Sequence, residues 1–175
     1  MMAIGPSVGR TVFLTPLGWF GLQWSEKGVQ RTTIGHRSAA VAEQAMGGAA
    51  TSFGGAPWCD LEEQMRDFAS GVRHDFHGVP LDLPSMTDFR TCVLTACQGI
   101  GYGETLSYGQ LARLAGSPRA ARAVGRVMAD NPLPLIIPCH RVVGANRKLG
   151  GFSAPNGLSL KQRLLRLEGV DPLRS

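Results

Sequence analysis

The chain is short of several things, and each shortage removes a class of function. No apolar run approaches the roughly 20 residues that a bilayer-spanning helix needs, so no membrane span is expected. The N-terminus carries Arg10 but no apolar stretch of signal-peptide length, which predicts a chain retained inside the cell. Cysteine is scarce: Cys59, Cys92, Cys97 and Cys139, none in a Cys-x-x-Cys pair. That argues against a zinc knuckle and a dithiol redox site, and the thiols read as reduced. Neither a metal nor another cofactor is expected. Internal repeats and low-complexity tracts are missing as well.

What is present is a thiol in unusual company. Cys139 stands in Pro138-Cys139-His140-Arg141-Val142, entered through the apolar run Leu135-Ile136-Ile137. A thiolate is the functional nucleophile, and a free cysteine at neutral pH is only a few per cent ionised, so a neighbouring base raises its reactivity directly. Pro138 fixes its own φ. Adjacent side chains on extended backbone diverge, so direct Cys139–His140 contact requires a turn or a bridging water. A buried cysteine on a core strand is the bland alternative. It fails on the flanks, because a core strand rarely passes straight into two basic residues.

At 175 residues the chain fits one domain or two small ones and can bury a proper core. Its net charge of +5 divides unevenly: residues 1–85 carry −2 and residues 86–175 carry +7. That asymmetry suggests an anionic polymer bound by the second half, a solvated basic face being the alternative. The patterning predicts three short strands within 11–34, a short helix over 38–46 and a Gly/Ala/Ser linker from Gly47 to Pro57. Asp60 with Glu63 reads as a capping box for a helix ending at Gly71. An extended connector with Pro80 and Pro84 puts a domain boundary near residue 85.

The second half reads as helical. One helix is expected over about 86–99, with Phe89, Val93, Ala96 and Cys97 on its buried face. Ser107 and Gln110 form a capping box for the next, which Gly116 stops. Ser117-Pro118 then starts a third that runs to about Asp130. Two short helices around Ala115-Gly116-Ser117 are a helix-turn-helix signature. On the second of them Arg119, Arg122 and Arg126 are spaced to share a face, among Ala120, Ala121, Ala123 and Gly125. A base-reading helix carries Asn, Gln and Thr as well as Arg. Small residues instead let the backbone approach closely, which suits a narrow groove and non-specific contact with phosphates. Ser159 and Gln162 read as caps of a last helix with Glu168 in its final turn, where a carboxylate opposes the helix dipole. Pairing with a histidine would account for it.

These segments resemble the O6-alkylguanine-DNA alkyltransferases (methylated-DNA–protein-cysteine methyltransferases). The likeness rests on Ser107-Tyr108-Gly109-Gln110-Leu111-Ala112, on Ala120-Ala121-Arg122-Ala123-Val124-Gly125, on Asn131-Pro132 through Pro138-Cys139-His140-Arg141-Val142, and on Leu164 to Gly169. It covers about residues 86–169, and more loosely Thr15-Pro16-Leu17-Gly18 and Pro80-Leu81-Asp82-Leu83. The resemblance implies an α+β fold: a small N-terminal α/β domain with a short antiparallel sheet (1–85), and a mainly helical, winged-helix-like C-terminal domain with the helix-turn-helix (86–175). It also implies a monomer that repairs duplex DNA containing O6-alkylguanine, and O4-alkylthymine, with cooperative assembly on DNA open to it.

In that family's pattern Cys139 takes the alkyl group once, irreversibly, His140 accepts the thiol proton through a water, and Glu168 orients His140. Arg122 fills the space left by the flipped base, and Tyr108 assists phosphate rotation and hydrogen-bonds the guanine ring. Asn131 ties the recognition helix to the active-site loop. The carbonyls of Cys139 and Val142 receive the exocyclic amine, Ser153 covers O6 and Met128 lines the pocket. Phe152 stands where many members carry Tyr, and Ala154-Pro155-Asn156 lengthens the loop. Two other readings compete: a lesion-binding protein of the same fold without transfer, and a thiol hydrolase.

Overall fold

A computed structural model describes residues 8–49 and 59–171. The loose segment from 50 to Pro57 lies outside the described residues, whereas 47–49 form a turn. Three strands, β1 (Gly9–Thr15), β2 (Gly18–Trp24) and β3 (Val29–His36), form an antiparallel meander in that order. The register sets Phe13 opposite Phe20, and their rings meet edge to face at 6.1 Å. The β1–β2 turn is closed by Thr15, whose hydroxyl donates to Gly18 O and accepts from Leu17 N.

One face of the sheet is covered by α2 (Cys59–Ala69), which buries Leu61, Met65 and Phe68. α1 (Ala39–Ala45) follows β3 directly, capped by the Ser38 hydroxyl. The outer edge of β3 is occupied by two distant segments. Near Val29 the connector pairs with it, through Val29 N to Pro80 O at 2.8 Å and Asp82 N to Val29 O at 2.9 Å. At Thr32 the loop before Cys139 takes over, with Thr32 N donating to Pro132 O at 3.0 Å. An edge strand left open is a pairing hazard, and here its first half is paired at Val29 and Thr32.

The second half comprises α3 (Asp88–Gln98), β4 (Leu106–Ser107), α4 (Tyr108–Leu114), α5 (Ala121–Ala129), β5 (Val142–Val143) and α6 (Gly157–Leu167). β4 and β5 pair in parallel, and the sequence patterning did not foretell them. The apolar core is continuous, from Phe20 and Ile34 of the sheet through Phe68 and Val93 to Val124, Leu135 and Leu164.

Three expected helix starts are corrected. α2 begins at Cys59, so Asp60 lies inside its first turn rather than at the cap. α5 begins three residues after Pro118: Ser117 to Ala120 is a turn closed by Ala120 N to Ser117 O at 2.9 Å, and Ala120 caps without a side-chain bond. Arg119 therefore sits in the turn, and only Arg122 and Arg126 share a helical face. α6 begins at Gly157 after Asn156 in the left-handed region, φ 64°, which leaves Ser159 and Gln162 inside the helix. By contrast the Ser107–Gln110 capping box is present with both its hydrogen bonds.

Candidate active site

Ile137 leads into Pro138 and then a single 3-10 turn over Cys139–Arg141. The turn is closed by Arg141 N to Pro138 O at 2.9 Å. Tight winding separates the thiol from the two side chains that follow it. Cys139 looks into a cavity, whereas His140 and Arg141 turn inward, each 1% exposed.

Both inward groups meet Glu168, which caps the C-terminus of α6. His140 Nε2 donates to Glu168 Oε1 at 2.8 Å, and Arg141 grips the carboxylate through Nε at 2.9 Å and Nη2 at 2.9 Å. Gly103 N supplies a further donor at 3.0 Å. Burial pulls the Glu168 pKa up, but the bonds and charges of His140 and Arg141 more than reverse it, to about 2. The carboxylate at a helix C-terminus is thus explained by two cationic or N–H-bearing neighbours. Burial lowers the pKa of His140 and Glu168 partly restores it. With Nε2–H committed to Glu168, Nδ1 is the acceptor nitrogen, and it is buried without a partner among the described residues.

Cys139 is 7% exposed, so reagents reach it only through the cavity. Burial pushes its pKa up, opposed by the Asn131 side chain, the charge of Lys161 and the backbone amides of Cys139 and His140. Asn131 also donates to Ile137 O at 2.8 Å and accepts from Leu133 N at 3.0 Å. It stands two residues after α5 and so joins that helix to the Cys139 loop.

The cavity in front of the sulfur measures about 400 Å³ and is lined by Tyr108, Gly125, Met128, Ala129, Gly151, Phe152 and Ser153. Tyr108 begins α4, and its hydroxyl donates to Gly151 O at 3.3 Å, so the segment Gly151 to Ser153, the lid of this cavity, rests on it. Burial raises the Tyr108 pKa, leaving a proton donor. A second, larger cleft of about 1160 Å³ also reaches Cys139, between β3 and the Ala154-Pro155 segment. Asn156 ties that segment to β3 through Nδ2 to Gly35 O at 3.0 Å.

Of the residues picked out from the sequence, Cys139, Asn131, Tyr108, Met128, Phe152 and Ser153 converge on the cavities, with His140 and Glu168 behind the sulfur. Val142 is buried next to the turn. Arg122 and Arg126 project from α5 to solvent with Arg119 beside them; none makes an ion pair or side-chain hydrogen bond with a described residue. Ala120, Ala121, Ala123 and Gly125 are half-buried. Gly125 faces the Tyr108 ring, where a Cβ would come within 3.9 Å. Among the described residues no cluster of three His, Cys, Asp or Glu could hold a metal, and no helix is long and apolar enough to cross a membrane.

Lys161 escaped the sequence reading. It is 0% exposed, and its ammonium donates to Val142 O at 2.5 Å and Gly151 O at 3.3 Å, bridging the Cys139 turn to the lid. It lies 5.9 Å from the ring centres of both Tyr108 and Phe152. Burial lowers its pKa to about 8, with the cysteines pulling the other way. The signal was available: 161, 165 and 168 fall on the helix face that 160 and 164 also bury. Arg141 as the second partner of Glu168 was missed too.

Residues 88–170 match the family described as 6-O-methylguanine DNA methyltransferase, DNA binding domain. A methylated-DNA–protein-cysteine methyltransferase of Methanosarcina acetivorans is 42% identical over 117 residues, 64% of this chain and 74% of that protein. The chain belongs to this family. The likeness extends to the whole fold. The solved O6-methylguanine methyltransferase of Mycobacterium tuberculosis superposes with a TM-score of 0.75 at 31% identity, covering 93% of each chain. The same organism's protein solved in complex with DNA gives 0.72 at 31% identity over 91% of this chain and 92% of that one. The α+β architecture is therefore the architecture of this methyltransferase family.

Proposed function

We propose that this methyltransferase repairs duplex DNA directly, moving an alkyl group from O6 of guanine, and from O4 of thymine, to Cys139. The observation that carries the reading is a buried thiol at the end of a base-sized cavity, backed by a histidine–carboxylate pair. α5, with small residues and the free Arg122 and Arg126, supports close approach of the helix to DNA, with Arg119 added from the turn. The target base must leave the stack, at roughly a few kcal/mol. Arg122 fills the gap, and Tyr108 assists the rotation of the flanking phosphate.

His140 Nδ1 takes the thiol proton through a water. The S–C bond forms as the C–O6 bond breaks, and the electron pair passes into the purine. Tyr108 releases Gly151 O and hydrogen-bonds the departing ring, while carbonyls of Cys139 and Val142 hold the exocyclic amine and Ser153 covers O6. Val142 O already accepts from Lys161, and its second lone pair would take this bond. The product is a neutral thioether that water does not cleave, so each molecule acts once. Residue 85 divides the DNA-binding, alkyl-transferring half from the N-terminal half. The protein works as a monomer in the compartment that holds the DNA, with assembly along DNA left to its exposed faces.

Incubation with duplex labelled on the O6-methyl group tests this. One equivalent of label should appear on the protein and vanish with Cys139→Ala. Continuous turnover would indicate a hydrolase, and binding without transfer a lesion reader; either outcome overturns the proposal.

A further inference from the structure

The loop that delivers Cys139 is held only in part by its own bonds, Ile137 N to Leu133 O and Cys139 N to Ile137 O, both at 2.8 Å. Pro132, Pro134 and Pro138 remove three backbone donors from a seven-residue stretch, leaving carbonyls to be satisfied from elsewhere. Leu135, between them, is 1% exposed and lies at φ 76°, a region that a γ-branched side chain rarely adopts. Such a conformation persists only where its surroundings over-determine it. From inside, Asn131 holds both ends, at Leu133 N and Ile137 O. From outside, a single residue of β3 holds the loop's first half. Thr32 N donates to Pro132 O at 3.0 Å, and Thr32 Oγ1 donates to Pro134 O at 2.8 Å. Thr32 is 4% exposed and 102 residues away from Pro134 in the chain.

We propose that Thr32 is a positioning residue for alkyl transfer: through Pro132 and Pro134 the N-terminal sheet fixes the strained turn that aims Cys139. The inference rests on the proposed function for its kinetic readout, but the geometry of the loop is independent of it. It assigns the sheet a part in the chemistry without contact with the base. Displacement by sulfur demands a narrow line of attack, and small misplacement of a reacting group lowers the rate steeply.

Thr32→Val keeps the shape and removes only the hydroxyl; Thr32→Ser keeps the hydroxyl. Single-turnover transfer at saturating methylated duplex should fall by about tenfold in Thr32→Val, with Kd for the duplex unchanged. Thr32→Ser should restore the rate. Amide exchange at Ile137 and Cys139 should quicken in the valine variant while β2 stays protected. A purely structural role would lower the urea midpoint without slowing transfer per folded molecule. That result, or a serine variant as slow as the valine one, overturns the proposal. If the wild type transferred no label, the proposed function would fail instead. The exchange rates, with carboxamidomethylation of Cys139 by iodoacetamide, would still decide the role of Thr32.

Discussion

Replacing Glu168 with Gln removes one negative charge from a site that holds a buried guanidinium and a buried imidazole. Arg141 then keeps Ile100 O at 2.6 Å and the neutral amide oxygen of the new side chain as acceptors, but no counter-charge, for a guanidinium that is 1% exposed. Breaking a buried pair from one side costs about 3–5 kcal/mol, because the remaining charge is left uncompensated. The pKa gives a similar size: lowering the carboxyl from 4.5 to about 2 corresponds to about 3 kcal/mol of stability. A depressed carboxyl contributes that stability fully above its unfolded pKa, and the contribution fades as the pH falls from about 4.5 towards 2.

Against a total stability of about 5–15 kcal/mol the loss is large. With a urea dependence of about 2 kcal/mol per molar, the midpoint of Glu168→Gln should drop by about 2 M at neutral pH. The difference from wild type should shrink in acid. Glu168→Leu combined with Arg141→Met removes both charges and should recover most of the stability, without recovering transfer. A Glu168→Gln midpoint equal to that of wild type at pH 7 would refute the reasoning.

Four other outcomes are expected. Arg122→Ala should slow transfer from duplex far more than from free O6-alkylguanine, since the free base needs no extrusion; equal losses would rule out a finger role. His140→Ala should slow transfer with DNA affinity intact, and its rate should recover as the pH rises and solvent ionises a thiol whose pKa burial has raised. A rate that stays low and flat into alkaline pH would mean a distorted pocket instead. Lys161→Met should shift the pH profile of Cys139 carboxamidomethylation upwards, because it removes a cation that favours the thiolate. In a Cys139→Ala background, the unfolded chain binds the Lys161 proton more tightly than the folded one. Stability relative to Lys161→Met should therefore rise with pH up to about 10.5, where the unfolded lysine loses its proton; a difference independent of pH would count against a buried ammonium.

How far the sequence could be read is clearest in its capping signals. Three pairs share one spacing, Asp60 with Glu63, Ser107 with Gln110 and Ser159 with Gln162, yet only the middle pair caps a helix. Residues three apart are also neighbours in the interior of a helix, so spacing cannot distinguish the two cases. The difference lies upstream. Leu106 and Ser107 are held extended by pairing with Val142 and Val143, partners far along the chain, which makes Ser107 the extended cap and Tyr108 the first residue to turn. Pro118 misled in the same way: it permits a helix start, but the chain first makes a turn there. The meander was legible because its alternation is local, and β4 and β5 were not, because two residues carry no period.

The site divides along the same line. Cys139, Asn131 and Tyr108 stand in a run of motif that can be read directly, whereas the groups that tune them come from across the fold. Lys161 was passed over because lysine is usually exposed, although its position on the buried face of α6 argued otherwise. That helix brings both remote charges to the thiol: Lys161 in its middle beside the Cys139 turn, and Glu168 at its cap behind His140. Their effects on reactivity have opposite routes. Lys161 favours the thiolate by its field, while in the proposed mechanism Glu168 keeps Nδ1 of His140 free to accept a proton. Shifting α6 by one residue would exchange neither charge for an equivalent, since its faces alternate with a period of 3.6. The glycine that ends it, Gly169 at φ 78°, therefore fixes more than a helix end. Its N–H bonds Arg166 O at 3.0 Å and the next, Val170 N, bonds Leu165 O at 2.9 Å, a closure that sets where the Glu168 carboxylate stands.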